Sequence, residues 1–191
     1  MFLLITAQNN VEDETRILEQ ATAFDNCFIH VRKPDFTLEQ MQQWLNQFSN
    51  RTIQKMVLHQ HHHLCADFPL KGIHFKESEK NNVGKVERPS ELTISAAFHD
   101  PFQACWQSRY NYAVLSPVFD SISKTHLKGK SFQIRNSFNP IIALGGITTK
   151  NMKVACDLGY NGIAVLGSVW LSNEPLRAFK DIVKTYQKVY G

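Results

Sequence analysis

Eight short apolar runs, rich in Val, Ile and Phe, alternate along this 191-residue chain with segments of helical spacing. They fall at 2–6, 27–31, 55–59, 72–75, 92–97, 112–115, 140–144 and 162–166. Strands separated by helical segments are the sign of a parallel sheet with crossover helices. Eight strand-then-helix units at about 24 residues each fall short of the roughly 250 residues of a typical (β/α)8 barrel, but suffice if connections are short and some helices vestigial. The expected fold is therefore α/β, a compact (β/α)8 TIM barrel forming one domain over 1–191. An open, doubly wound sheet is the alternative.

Helix signals between the runs agree with this reading. Ile17, Leu18, Ala21 and Phe24 share one face, as do Leu38, Met41, Leu45 and Phe48. Thr37 with Gln40 forms a capping box, and Asp100-Pro101 supplies a cap followed by a first-turn proline. Ser172 or Asn173 with Pro175 opens a last helix carrying Leu176, Phe179, Val183 and Tyr186. The segments 80–90 and 120–129 are polar and read as loops. Trp44, Trp106 and Trp170 are expected to pack in the core.

Composition removes several classes of function. A net charge of +4 is too mild to indicate nucleic acid, and 43% hydrophobic with 20% charged residues is the balance of an ordinary globular chain. The apolar run from Met1 to Ile5 is far shorter than the roughly 18 residues of a spanning helix. Cys27, Cys65, Cys105 and Cys156 form no CxxC pair, which suits reduced thiols. The expectation is a cytoplasmic protein with no nucleic-acid and no membrane partner; a homo-oligomer is left open.

Parallel strands deliver their C-terminal ends to one face, where α/β proteins place their chemistry. Here those positions are polar: His30 to Asp35, His59 to His63, His74 to Glu79, His99-Asp100 and Ser121 to Lys128. Gly145-Gly146-Ile147-Thr148 and Gly167-Ser168 each precede a predicted helix, and glycines there let backbone N–H groups approach a phosphate. Gly145-Gly146 also suits a simple tight turn. His59, His61, His62 and His63 read either as a metal site, with His59 and His63 on one helix face, or as a solvated loop with one or two histidines turned inward. Lys128 and Lys130 read as a solvated loop face, with Lys124 the stronger candidate for a site.

Taken together these segments resemble the thiamine-phosphate synthase family and its relative the thiazole tautomerase, which share a compact (β/α)8 barrel. The likeness is carried by Pro140-Ile-Ile-Ala-Leu-Gly-Gly-Ile-Thr-Thr-Lys-Asn151 and Gly159-Tyr-Asn-Gly-Ile-Ala-Val-Leu-Gly-Ser168. Ser116-Pro-Val-Phe119 with Ser123-Lys124, and Gly72-Ile-His-Phe75, add to it. The resemblance implies a transferase that joins hydroxymethylpyrimidine diphosphate to a thiazole phosphate and releases pyrophosphate, with Mg²⁺ on the diphosphate. It also implies roles: Lys124, Ser123 and Arg32 at the reacting centre, with Lys33, His30 and His59 on phosphate or substrate. Gly145, Gly146, Gly167 and Ser168 would hold the thiazole phosphate, and Glu79 the metal.

The chain departs from the family pattern at identifiable points. His30 replaces the family's Gln, Pro34 replaces its Lys with Lys33 one position early, and His59-Gln60 replaces an Asn-Asp pair that helps hold Mg²⁺. Glu79 stands for an Asp, and Ala97 for the Ser before a Thr-His pair, leaving Phe98-His99. Pro117 occupies the position of the tautomerase's acid/base His, as in the synthases. Two alternatives follow: a tautomerase-like enzyme using His99, His59 or His74 as acid/base, or a non-catalytic binder of a phosphorylated ligand.

Overall fold

The computed structural model describes residues 1–9, 11–85, 89–122, 126 and 128–191. Ser123 and Lys124 lie outside the described residues. Eight parallel strands close into a barrel in sequence order: β1 (Phe2–Ile5), β2 (Cys27–Val31), β3 (Met56–Leu58), β4 (Gly72–Phe75), β5 (Thr93–Phe98), β6 (Tyr112–Leu115), β7 (Ile141–Ala143) and β8 (Gly162–Val165). Every expected strand is present and the open-sheet alternative is set aside. β1 meets β8 with Phe2 opposite Ile163, and Gly162 makes that seam possible. A Cβ on Gly162 would lie 1.9 Å from the Met1 carbonyl oxygen, so a larger residue would push the two strands apart.

The strand alternation builds two layers. Ile29, Val31, Leu58, Ile73, Phe75 and Ala113 face outward into the main core, under the helices. Leu3, Ile5, Val114, Ile142 and Ala164 face inward with Tyr112. The outer helices are α1 (Glu14–Ala21), α2 (Leu38–Leu45), α3 (Asn50–Ile53), α4 (Pro101–Trp106), α5 (Met152–Asp157), α6 (Gly167–Trp170) and α7 (Pro175–Tyr190). Two further connections are reduced to 3-10 turns, His62–Ala66 after β3 and Glu77–Lys85 after β4, which is how the barrel fits into a short chain. Among the described residues no helix is long and apolar enough to cross a membrane.

Local signals act as the sequence implies in most places. The Thr37–Gln40 box caps α2 in both directions, and the Asp100 carboxylate accepts from the Gln103 N–H ahead of α4. α7 differs, because Glu174 precedes Pro175 and neither Ser172 nor Asn173 caps it. Its long apolar face of Phe179, Ile182, Val183 and Tyr186 anchors it without a cap. Trp44 and Trp170 are buried as expected, with the Trp170 Nε1–H donating to the Ile5 carbonyl at 2.7 Å. Trp106 is not buried; it lies exposed between Phe102 and Phe138.

Lys33 is a correction of a different kind. One position beyond Arg32, its side chain turns to the opposite side of the chain and is fully buried. The ammonium donates to Glu14 Oε2 at 2.6 Å and lies over the rings of Phe36 and Trp44. Burial raises the Glu14 pKa, opposed by Lys33 and by the Ala7 N–H that donates to the same carboxylate. The pair ties α1 to the loop after β2, so Lys33 holds the scaffold and is withdrawn from any phosphate. Removing one partner of a buried pair strands the other charge, so Lys33→Met should lower unfolding stability by about 3–5 kcal/mol in urea titration. The double variant Glu14→Gln/Lys33→Met should recover much of that loss; equal losses in the two variants would refute this role.

Candidate functional site

A cavity of about 610 Å³ opens at the C-terminal mouth of the barrel, over β5 to β8. Leu144, Ala164 and Leu166 make an apolar floor, and the loops after β7 and β8 bring Gly145, Gly146, Gly167 and Ser168 to one wall. Both glycines of the first loop have left-handed backbones, at φ 100 for Gly145 and φ 65 for Gly146. A Cβ on Gly146 would lie 2.2 Å from the Asp120 carbonyl oxygen, so space and conformation both require glycine. Asn151 locks the loop: its Oδ1 accepts from the Thr148 N–H at 2.8 Å and its Nδ2 donates to the Gly146 carbonyl at 2.8 Å. The hydroxyl of Ser168 is buried on this wall and has no hydrogen-bond partner among the described residues.

The opposite wall comes from loops after β5 and β6, with His99, Ser116, Ser121, His126, Lys128 and Lys130. Lys128 pairs with Asp120 at 2.9 Å but remains largely exposed. These two lysines line the cavity rather than merely facing solvent, a placement that loop composition did not reveal. The His99 Nδ1 lies 2.7 Å from the Ser116 carbonyl oxygen, which can only accept, so in the neutral ring the proton sits on Nδ1 and Nε2 is left open. Glu77, overlooked in the sequence, accepts from the His99 backbone N–H and sets Oε2 3.6 Å from its Nε2.

His30 and His59, expected on phosphate or substrate, lie inside the barrel. Strand parity sends His30 into the barrel, opposite in sense to Ile29 and Val31, and both rings are buried. His30 Nδ1 lies 2.9 Å from His59 Nε2, and His30 Nε2 lies 2.7 Å from the Tyr112 hydroxyl. His74 joins them, its Nδ1 2.8 Å from Ser95 Oγ. Burial, reinforced by the neighbouring imidazoles, pushes His30 and His59 well below the usual histidine range and His74 to about 3. Neutral, buried rings offer a phosphate no positive charge. Tyr112 and Ser95 were missed in the sequence, although pairing of His74 with Ser95 and Ser95 with Tyr112 puts all three on one rung of the barrel.

The histidine-rich segment follows the loop alternative, with His59 turned inward, and forms no helix face. His61 takes a left-handed backbone, φ 53, and a 3-10 turn follows, so His59 turns inward while His61 and His63 stay near the surface. The His62 ring nitrogen Nε2 lies 3.1 Å from the His74 carbonyl. Arg32 stands beside His59, its own pKa lowered by burial against the opposing effect of Asp35. Gln60 donates to the Lys33 carbonyl. Glu79 lies on the turn after β4, 3.6 Å from Lys76 and partly exposed.

Residues 2–169 match the family model for thiamine monophosphate synthase. The chain belongs to that family. A thiamine-phosphate synthase of Bacillus cereus is 21% identical over 134 residues, 65% of this chain and 61% of the relative. The chain thus spans about three fifths of the length of the curated relatives it matches. Thiamine phosphate pyrophosphorylase from Pyrococcus furiosus superposes with a TM-score of 0.74 at 16% identity, covering 100% of this chain and 96% of that one. The enzyme of the same name from Bacteroides thetaiotaomicron gives 0.69 at 23%, with 97% of each chain covered. At these identities the likeness to solved structures establishes a shared barrel.

For this member of the thiamine monophosphate synthase family, the buried imidazoles make stability depend on pH. Unfolded histidines titrate near 6.5, whereas the folded values of His30, His59 and His74 lie far lower. The unfolded chain therefore binds protons that the folded chain refuses, and stability present above 6.5 is lost as pH falls from there towards about 3. Three such groups steepen the loss to as much as about 4 kcal/mol per pH unit. Denaturant midpoints of chelator-treated protein between pH 7 and 4 should fall accordingly; a flat profile would show that the rings are already charged in the fold.

Proposed function

We propose that the protein is a thiamine-phosphate synthase-type transferase, joining hydroxymethylpyrimidine diphosphate to a hydroxyethylthiazole phosphate. The observation that carries this reading is the buried Ser168 hydroxyl beside the glycine loops, without a hydrogen-bond partner among the described residues, in a cavity of about 610 Å³. An unsatisfied buried hydroxyl is costly, and a phosphate oxygen arriving there would satisfy it. Gly146 and Gly167 present bare backbone to the same space, so the thiazole phosphate is assigned to this wall. Lys128 and Lys130 supply positive charge across the cavity.

In the transfer, the C–O bond to the diphosphate breaks, its electron pair leaves with pyrophosphate, and the thiazole nitrogen closes a new C–N bond. Charge accumulates on the leaving group, so cations near it lower the barrier, while the apolar floor of Leu144, Ala164 and Leu166 keeps water from trapping the electron-poor pyrimidine carbon. By the family likeness, Lys124 is assigned to the leaving group and Ser123 to a phosphate oxygen, with Arg32 at the pyrimidine side of the mouth. Mg²⁺ is commonly held by one or two carboxylates together with substrate phosphates. Glu79 fits that mode, being partly exposed with a loose ion pair to Lys76, and would hold such an ion. Bound there, Mg²⁺ neutralises charge on the diphosphate.

A second reading rests on one observation, the open Nε2 of His99 beside Glu77 at the cavity wall. Such a ring can move a proton on a bound thiazole phosphate without a metal. The deciding experiment is formation of thiamine phosphate from the two substrates with Mg²⁺ and with chelator. The transferase reading expects product that is lost on chelation. It also expects Gly146→Val to raise KM for the thiazole phosphate at least tenfold, and Ser168→Ala to raise it about tenfold, the worth of one charge-assisted hydrogen bond. No product, with chelator-resistant proton exchange on the thiazole phosphate that His99→Gln abolishes, would replace it with the second reading.

A further inference from the structure

We propose that His30, His59 and His74 form a binding site, inside the barrel, for a transition-metal dication of the zinc class. Each ring offers one nitrogen, and these nitrogens lie within 4.8 Å of one another. Three nitrogens of a tetrahedral zinc sphere stand roughly 3.3 Å apart, given metal–nitrogen bonds of about 2.0–2.1 Å. The His30 Nδ1 and His59 Nε2 pair is already at 2.9 Å, so small ring movements convert the hydrogen-bonded cluster into a coordinating one. The rings rise from three adjacent strands, β2, β3 and β4, or their immediate ends, and two are held from behind. Tyr112 engages His30 Nε2 and Ser95 engages His74 Nδ1, while His30 Nδ1 faces His59 Nε2. Partners of this kind fix ring orientation and tautomer at metal sites.

The donor set selects the ion. Imidazoles without a carboxylate suit zinc, copper, nickel or cobalt, whereas Mg²⁺ and Ca²⁺ demand oxygen. Burial holds all three rings neutral, which is the form that binds a metal. Arg32 is the cation that faces His59 and opposes the ion, while Asp35 beside Arg32 offsets it. His59 and His74 are slightly exposed at 7% and 4%, which places the cluster just beneath the mouth, where an ion has a way in. The site is separate from the Mg²⁺ assigned to Glu79, and it stands whether or not the transferase reading holds.

The test is metal content and spectroscopy of the whole protein. Chelator-treated protein is titrated with ZnCl2, desalted and analysed for zinc, and a parallel sample receives Co²⁺. The proposal expects one equivalent of zinc retained through desalting and intense visible absorption from four-coordinate Co²⁺. His59→Asn should weaken zinc binding at least tenfold. His61→Asn/His63→Asn should leave it unchanged, asparagine being tolerated at the left-handed backbone of His61. Should His59→Asn fail to fold, Ser95→Ala takes its place, with affinity expected to fall 10- to 100-fold, the typical cost of losing a partner behind a ligand. Wild-type protein that retains no zinc would overturn the proposal, leaving the cluster a hydrogen-bonded core element. So would zinc that survives His59→Asn or Ser95→Ala but is lost from the surface double variant.

Discussion

Filling the inside of the barrel is the constraint on which the rest of this structure depends. Strands of only three to six residues leave few inward positions, and each must carry a side chain that packs or bonds. On the side of β6, β7, β8 and β1 the filling is aliphatic, from Val114, Ile142, Ala164, Leu3 and Ile5. On the side of β2 to β5 polar groups join the buried Val57: His30, His59, His74 and Ser95, with the Tyr112 hydroxyl reaching across from β6. Aliphatic packing fixes volume, whereas hydrogen bonding also fixes direction, and a buried ring nitrogen left without a partner is penalised. The polar half is therefore specified more tightly than its size suggests.

This division explains how the mouth is organised. The cavity stands over the aliphatic half, where an apolar floor can exclude water and glycine loops can bring backbone close to a ligand. The loops are held from outside that floor: Asn151 braces the first glycine loop, and Phe119 donates its backbone N–H to the Gly145 carbonyl at 3.0 Å. The other half of the mouth carries Arg32, His62 and the carboxylates of Glu77 and Glu79. Its floor is made of neutral imidazoles. The glycine-lined half carries segments that resemble the thiamine monophosphate synthase family, as does His74, whereas His30 and His59 stand where that resemblance breaks.

What the sequence made legible follows the same division. All eight strands were readable because apolar runs and helical spacing repeat locally, whereas Gly145-Gly146 suited a phosphate loop and a simple tight turn equally. The placement of Lys33 was not, since Arg32 and Lys33 look equivalent as neighbouring cations until strand parity sends one to the mouth and the other to Glu14. His59 was grouped with His61, His62 and His63 by proximity along the chain. Its true partners are 29 and 15 residues away, at His30 and His74, and only the closed barrel joins them. Tyr112 and Ser95 carry no chemical signature on their own; that Ser95 lies opposite His74 and Tyr112 opposite Ser95 is a property of the sheet.

The departures from the family pattern are also coupled rather than independent. His30 and His59 both enter the closed barrel, where each buried ring nitrogen needs a partner. Together they satisfy each other at 2.9 Å, and Tyr112 meets the remaining nitrogen of His30 at 2.7 Å. The second histidine therefore costs far less than the first, because a hydrogen-bonded pair offsets the desolvation that a single ring bears alone. The two positions act as one unit of the barrel floor, and comparison of this protein with its relatives gains meaning when they are exchanged together.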